Sequence, residues 1–297
     1  MPSIRSFRLR PTHLVSISLL FWGVVEAGIP KLGNSQEISL PPAYLEAIED
    51  ARTPEPEEIW PGLTAIVPYH PDLVWEGEPG DSRVLVAVWT SWNGYEANLG
   101  NAMELTQEVW VTPVPELQQF CQNYTPTAEV SLPYRLNQLL GLPPDNPDKV
   151  RQVVHLWVSP NDVFRPSFDP EIRDRTSEIG FRPDSWYGTL SADYRDWFDR
   201  QYQQRYASDG VAYPWTQLGY TYDWGNVEDW HSIDGDRPSE VGLSEFVIRE
   251  QATVDVANVA TVEAYCQPLR GIQNSKFRVR LEKFGGKKIY TPNFSQN

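Results

Sequence analysis

The sequence predicts an α+β fold, a single globular domain with a mostly antiparallel sheet, about three short helices and a C-terminal β-hairpin. Three observations carry that expectation. Short runs of β-branched and aromatic residues bounded by turn residues recur along the chain. Amphipathic helical stripes cluster in its middle rather than alternating with those runs. Near the C-terminus, apolar and charged residues alternate up to a Gly-Gly pair.

The beginning of the chain is set apart from this pattern. Arg5, Arg8 and Arg10 precede an uncharged, mostly apolar run at residues 14–25, which ends at Val25-Glu26-Ala27. A positive stretch, a short apolar core and a small-residue box make a signal peptide, cleaved near Ala27. The run is shorter than the roughly twenty residues a helix needs to cross a bilayer. No cysteine adjoins the site for lipidation, and no later stretch is apolar enough to span a membrane. The expectation is therefore an exported protein, periplasmic or extracellular, with no stable membrane span after cleavage. Residues 28–62 read as an irregular, Pro-rich lead-in with one possible short helix, Pro42–Asp50, and residues 63–297 as the domain.

Within the domain, residues 63–67, 84–89 and 108–112 read as strands. Thr112 and Pro113 then suit the N-cap and first turn of a helix. Leu117, Phe120, Cys121 and Tyr124 follow at i, i+3, i+4 and i+7, one apolar stripe. Ser131 can cap a second helix carrying Leu132, Leu136, Leu139 and Leu140, stopped by Gly141 and Leu142-Pro143-Pro144. The run 150–158 carries Val153, Val154, Leu156, Trp157 and Val158, as in a strand covered on both faces. A third helix from Ser191 to about Tyr206 places Tyr194, Trp197, Phe198 and Tyr202 opposite Asp193, Asp196, Asp199 and Arg200. Strands follow at 243–248 and 253–259. Phe277, Val279 and Leu281 then alternate with Arg278, Arg280 and Glu282 before Gly285-Gly286 turns the chain back through 287–291.

Charge and composition bound the function. The chain carries a net charge of −15, and loss of the leader, with three Arg and one Glu, makes it −17. Such a field repels phosphate backbones, which excludes nucleic acid as a partner. The one basic patch is C-terminal, where Lys276, Lys283, Lys287 and Lys288 are four of the six lysines. Twelve Trp, fourteen Tyr and eleven Phe are either core filler or stacking platforms for ring-faced ligands. Cys121 and Cys266 are a disulfide candidate in an oxidising compartment, closing a loop that stabilises by roughly 4 to 5 kcal/mol; two buried thiols are the alternative.

The familiar catalytic signatures are missing: no Gly-x-Ser-x-Gly, His-Glu-x-x-His, Gly-rich phosphate loop or Cys-x-x-Cys. His70, His155 and His231 lack metal-ligand spacing, and a Cys121 and His155 pair is weaker than a packing role for both. Asp229, Asp234, Asp236 and Glu240 do not fit the twelve-position calcium loop. No metal and no cofactor is implied.

Two loops hold the chemistry. Residues 159–171 carry Asp162, Arg165, Asp169 and Glu171 on a Pro-stiffened segment, suited to an acid/base or ligand-orienting set; a solvated loop tied by an Arg165 ion pair is the alternative. Residues 213–225 carry Tyr213, Trp215, Tyr220, Tyr222 and Trp224 with Asp223, suited to a stacking wall for a saccharide or cell-wall fragment. The alternative there is a loop packing its own rings.

The phrases Leu136-Asn137-Gln138-Leu139-Leu140-Gly141-Leu142-Pro143-Pro144, Trp157-Val158-Ser159-Pro160-Asn161-Asp162-Val163-Phe164-Arg165-Pro166 and residues 213–225 resemble exported bacterial proteins without an assigned activity. That resemblance covers about residues 108–266 and implies a location, not a chemistry. Gly242-Leu243-Ser244-Glu245-Phe246-Val247-Ile248 and the strand after it are similar to the end of ADP-ribosyltransferase-like domains, where a Glu precedes the last strands and an upstream Arg grips NAD. The resemblance gives those parts to Glu245 and Arg165, and that family's Ser-Thr-Ser strand is not recognisable here. The leading functional expectation is an exported ligand-binding module with an aromatic and acidic site. Against it stand an exported enzyme, hydrolase or ADP-ribosyltransferase-like, with Asp162, Arg165, Asp169, Asp223 and Glu245 converging on one cleft, and a structural envelope protein.

Overall fold

The computed structural model describes residues 40–68, 70–77, 81–145, 149–181, 191–206, 212–225 and 237–266, and the backbone of 289–290. All of these belong to one compact unit, Ile38–Asn297. Its centre is a sheet in the order β3 (Ala102–Glu104), β10 (Thr253–Ala260), β5 (Gln152–Val158), β2 (Arg83–Thr90), β4 (Val109–Pro113), β9 (Phe246–Ile248) and β6 (Val163–Phe164). Beside β2 lies β1 (Trp75–Glu76), which in turn pairs with β11 (Ile289–Tyr290). Every ladder among these strands is antiparallel. β2 and β5 are interior strands, which is why their apolar runs do not alternate with polar residues.

Register decides which core each residue enters. Val86 faces Leu156, and with Val84, Val88, Val111, Val154, Val158, Phe246 and Val256 it builds one face of the sheet. That face is closed by loops through Ile66, Leu73, Tyr95, Leu105 and Ile172. Leu85, Ala87, Trp89, Val153 and Trp157 point the other way. They meet α2 (Glu116–Asn123), α3 (Leu132–Leu139) and α5 (Val262–Cys266). Further along the same face, Phe164 and Val247 are covered by α1 (Pro42–Asp50), α4 (Ala192–Tyr206) and the rings of Trp215 and Trp224.

The helices follow their sequence signals. Ser131 Oγ accepts from Tyr134 N at 3.4 Å with Pro133 in the first turn, and the Leu117, Phe120 and Cys121 stripe of α2 is buried. Gly141 ends α3 at φ +63°, a left-handed position that a side chain disfavours. A disulfide joins Cys121 of α2 to Cys266 of α5, with Cα atoms 5.2 Å apart. Residues 40–62 pack onto the domain: Tyr44, Ala47 and Ile48 are buried, and Tyr206 donates to Ala51 O at 2.8 Å. No helix among the described residues is long and apolar enough to cross a membrane.

Three local expectations are corrected. Residues 63–67 form no strand; they bond to the segment 172–175 through Leu63 N and Ile66 N and lie as a lid over the sheet. Thr112 and Pro113 do not open a helix, because the ladder to Ala87 and Val86 holds them in β4, and α2 begins at Glu116. Residues 243–248 are two strands, not one. β8 (Val241–Ser244) pairs with β7 (Tyr220–Tyr222) in a small second sheet, β9 pairs with β4, and Glu245 stands between. The expected C-terminal hairpin lies outside the described residues apart from β11.

Candidate functional site

Ala87 is the small residue among the Val, Leu and Trp residues of 84–89, and its register partners on the same face are Thr112 and His155. The missing volume opens a cavity of about 260 Å³ between the α2 and α3 side of that face and the α4 side. Ala87, Trp89, Trp110 and Thr112 form its floor. Leu117, Leu140, Leu142, Tyr213, Pro214, Trp215 and Tyr222 form its walls, and Arg205 and Glu245 are its ionisable members along with the two tyrosines. Trp89 is fixed by a hydrogen bond from its Nε1 to Asn137 Oδ1 at 2.8 Å, and Trp215 by one from its Nε1 to Pro166 O at 3.0 Å.

Glu245 reaches the cavity because the chain changes sheets there. Its N–H donates to Gly219 O at 2.9 Å, and the N–H of Ser244 donates to Glu116 Oε2 at 2.8 Å, so the backbone is anchored on both sides. Gly219 is required at that junction: its φ is +79°, and a Cβ would come within 2.5 Å of Arg165 Cδ. The Glu245 carboxyl accepts no hydrogen bond from a described residue. Burial pushes its pKa up to about 8, against a smaller downward pull from Arg205. Arg205 forms no salt bridge with it. The guanidinium instead lies over the rings of Trp110 and Tyr213, 4.9 and 5.1 Å from their centroids, and donates to Gln201 Oε1 at 3.4 Å. Thr112 Oγ1 and Arg205 Nε are buried without a partner beside the cavity.

Of the five residues expected to converge on a cleft, Glu245 alone lines this cavity. Asp223 is held by Arg135 in a bidentate pair at 2.8 and 2.7 Å, with both side chains 1% exposed. It is a structural carboxylate. Arg165 is wholly buried; its Nε donates to Glu171 O at 3.0 Å and its Nη2 to Asp174 O at 2.9 Å, so it staples the loop from inside. Burial lowers its pKa to about 10. Asp169 caps Glu171 N at 3.1 Å and borders an open polar groove with Arg173, Asp193, Arg200 and Arg249. Asp162 sits in a 3₁₀ turn whose carbonyl accepts from Arg249 N.

The expected stacking wall is not an open face. Trp215, Tyr220 and Trp224 are 4%, 1% and 5% exposed. Tyr220 donates to Glu58 O at 2.9 Å and Trp224 to Leu142 O at 3.0 Å. Burying large rings offsets more free energy than displaying them, and their polar atoms find backbone acceptors inside. Tyr213, Trp215 and Tyr222 nevertheless share the cavity with Glu245, which makes the site an aromatic and acidic pocket. His155 stands apart, packed against Tyr265 at 5.3 Å, and burial lowers its pKa to about 4.

Comparison with protein-family models, curated proteins and solved structures returns no match.

The site therefore rests on its own geometry. Among the described residues no group of His, Cys, Asp or Glu is arranged to hold a metal; Asp229, Asp234 and Asp236 lie outside them. Sequence reasoning missed Ala87, Trp89, Trp110 and Arg205. Only the small residue in an otherwise bulky strand was a readable signal, and by itself it does not separate a cavity from tight packing.

Proposed function

We propose that this protein is a small-molecule-binding module acting outside the cytoplasm, with its ligand held in the cavity and oriented by Glu245. One observation carries the reading: a carboxyl faces an apolar, ring-walled cavity and no described side chain satisfies it. The side chain is half-buried, and a few fixed polar groups in an apolar pocket are what orient a bound ligand. At about 30 Å³ per water, the cavity matches about nine waters, or a compact ligand of roughly a dozen heavy atoms. Only part of a saccharide of several rings fits within that volume, so the proposal moves from cell-wall fragments to a single compact molecule. The leader-like N-terminus and the disulfide support action outside the cytoplasm.

A library of compounds with up to about fifteen heavy atoms tests this by thermal shift on the wild type and on Leu140→Trp, which fills the cavity. Some compounds are expected to raise the wild-type midpoint and to lose that effect in the variant. Equal shifts in both proteins, or none in the wild type, refute the cavity as the site.

A further inference from the structure

The walls and polar groups of this cavity also discriminate by charge. Trp89, Trp110, Trp215 and Tyr222 line it, and aromatic rings attract cations over their faces. Among the described residues the Glu245 carboxyl accepts no hydrogen bond, and Thr112 Oγ1 and Arg205 Nε are also without a partner beside that space. Arg205, the one cation among the described lining residues, lies 4.9 and 5.1 Å from the ring centroids of Trp110 and Tyr213 and donates through Nη2 to Gln201, while its Nε has no partner. A carboxylate ligand that paired fully with Arg205 would draw it off those rings, and it would bring a second carboxyl beside Glu245, so that the two could not both ionise cheaply. The protein's net charge of −15 adds a field that draws cations in and repels anions.

We infer, resting on the cavity as the binding site, that the ligand is a primary or secondary amine on a compact apolar body, with Glu245 as its counter-ion and the indoles around its hydrocarbon. On binding at pH 7 Glu245 releases its proton to solvent and the resulting carboxylate pairs with the ammonium among apolar walls, where an ion pair is stronger than at a surface.

Three probes sharing one phenyl body separate the possibilities: 2-phenylethylamine, 2-phenylethanol and phenylacetate. They are titrated into the full chain at pH 7 while tryptophan emission is followed. The amine is expected to saturate at a concentration at least tenfold below the alcohol, and phenylacetate to bind more weakly than either. Glu245→Gln should remove the amine's advantage while leaving the alcohol's binding in place, and Leu140→Trp should abolish both. If the alcohol or phenylacetate binds as tightly as the amine in the wild type, the amine inference falls while the cavity reading stands. If none of the three binds, or if all bind Leu140→Trp unchanged, both fall.

Discussion

Glu245→Gln should change how stability depends on pH, and the size and sign follow from the site. In the native state, burial holds the Glu245 pKa at about 8, against 4.5 for an ordinary glutamate. Between those values the native protein keeps a proton that the unfolded chain has lost, so stability falls as pH rises, by about 1.4 kcal/mol per unit. His155 acts in the opposite sense lower down. Its pKa drops from 6.5 to about 4, so the unfolded chain binds the extra proton there and stability rises with pH up to 6.5. The two slopes oppose each other below pH 6.5, and Glu245 acts with little of that opposition from 6.5 to 8. Over that window, with Glu245 half ionised in the native state at pH 8 and the last of the His155 rise at pH 6.5, wild-type stability should fall by about 1 kcal/mol. Gln keeps the shape and removes the titration, so the variant should lose this fall and show the His155 rise more steeply at lower pH. Urea titrations of both proteins at pH 5.5, 6.5, 7.25 and 8, with the disulfide intact, measure it by linear extrapolation. Parallel wild-type and variant profiles between pH 6.5 and 8 would refute the buried-carboxyl reasoning.

Three further outcomes are expected. Asp223→Ala deprives the buried Arg135 guanidinium of its bidentate carboxylate and should cost about 3 to 5 kcal/mol in chemical denaturation. Combining Arg135→Met with Asp223→Leu should recover more than half of that, and an Asp223→Ala protein of wild-type stability contradicts a structural pair. Opening the link between Cys121 and Cys266 by Cys→Ser replacement releases a loop of 145 positions and should cost up to about 5 kcal/mol, read as a lower thermal midpoint that reductant no longer shifts. Trp215→Ala should cost about 3 to 5 kcal/mol, whereas Trp92→Ala, at a ring 51% exposed, should stay within about 0.5 kcal/mol; similar costs at the two positions would overturn the burial argument.

Sequence alone determined what depends on neighbours along the chain. The apolar runs of β2, β5 and β10, the stripe of α2, the Ser131 cap of α3 and the two faces of α4 are local patterns with periods of about two or 3.6 residues, and a short segment suffices to express them. The cysteines were a legible pair because the chain has only two, and one of them lay on a core stripe. What the tertiary structure decided was where each loop residue turned. Asp223 and Arg165 read equally well as catalytic groups until Arg135 arrived from 88 positions away and the carbonyls of residues 171 and 174 closed around Arg165. The break at Glu245 is invisible in an apolar stretch, because it arises only when residues 241–244 find β7 and residues 246–248 find β4. The cavity likewise exists only once the register sets Ala87 opposite Thr112 and brings Trp110, Trp215 and Arg205 around them. A side chain's local period fixes the element it joins, but its burial, charge state and partners depend on contacts between segments far apart in sequence, and those are set by packing the whole domain at once.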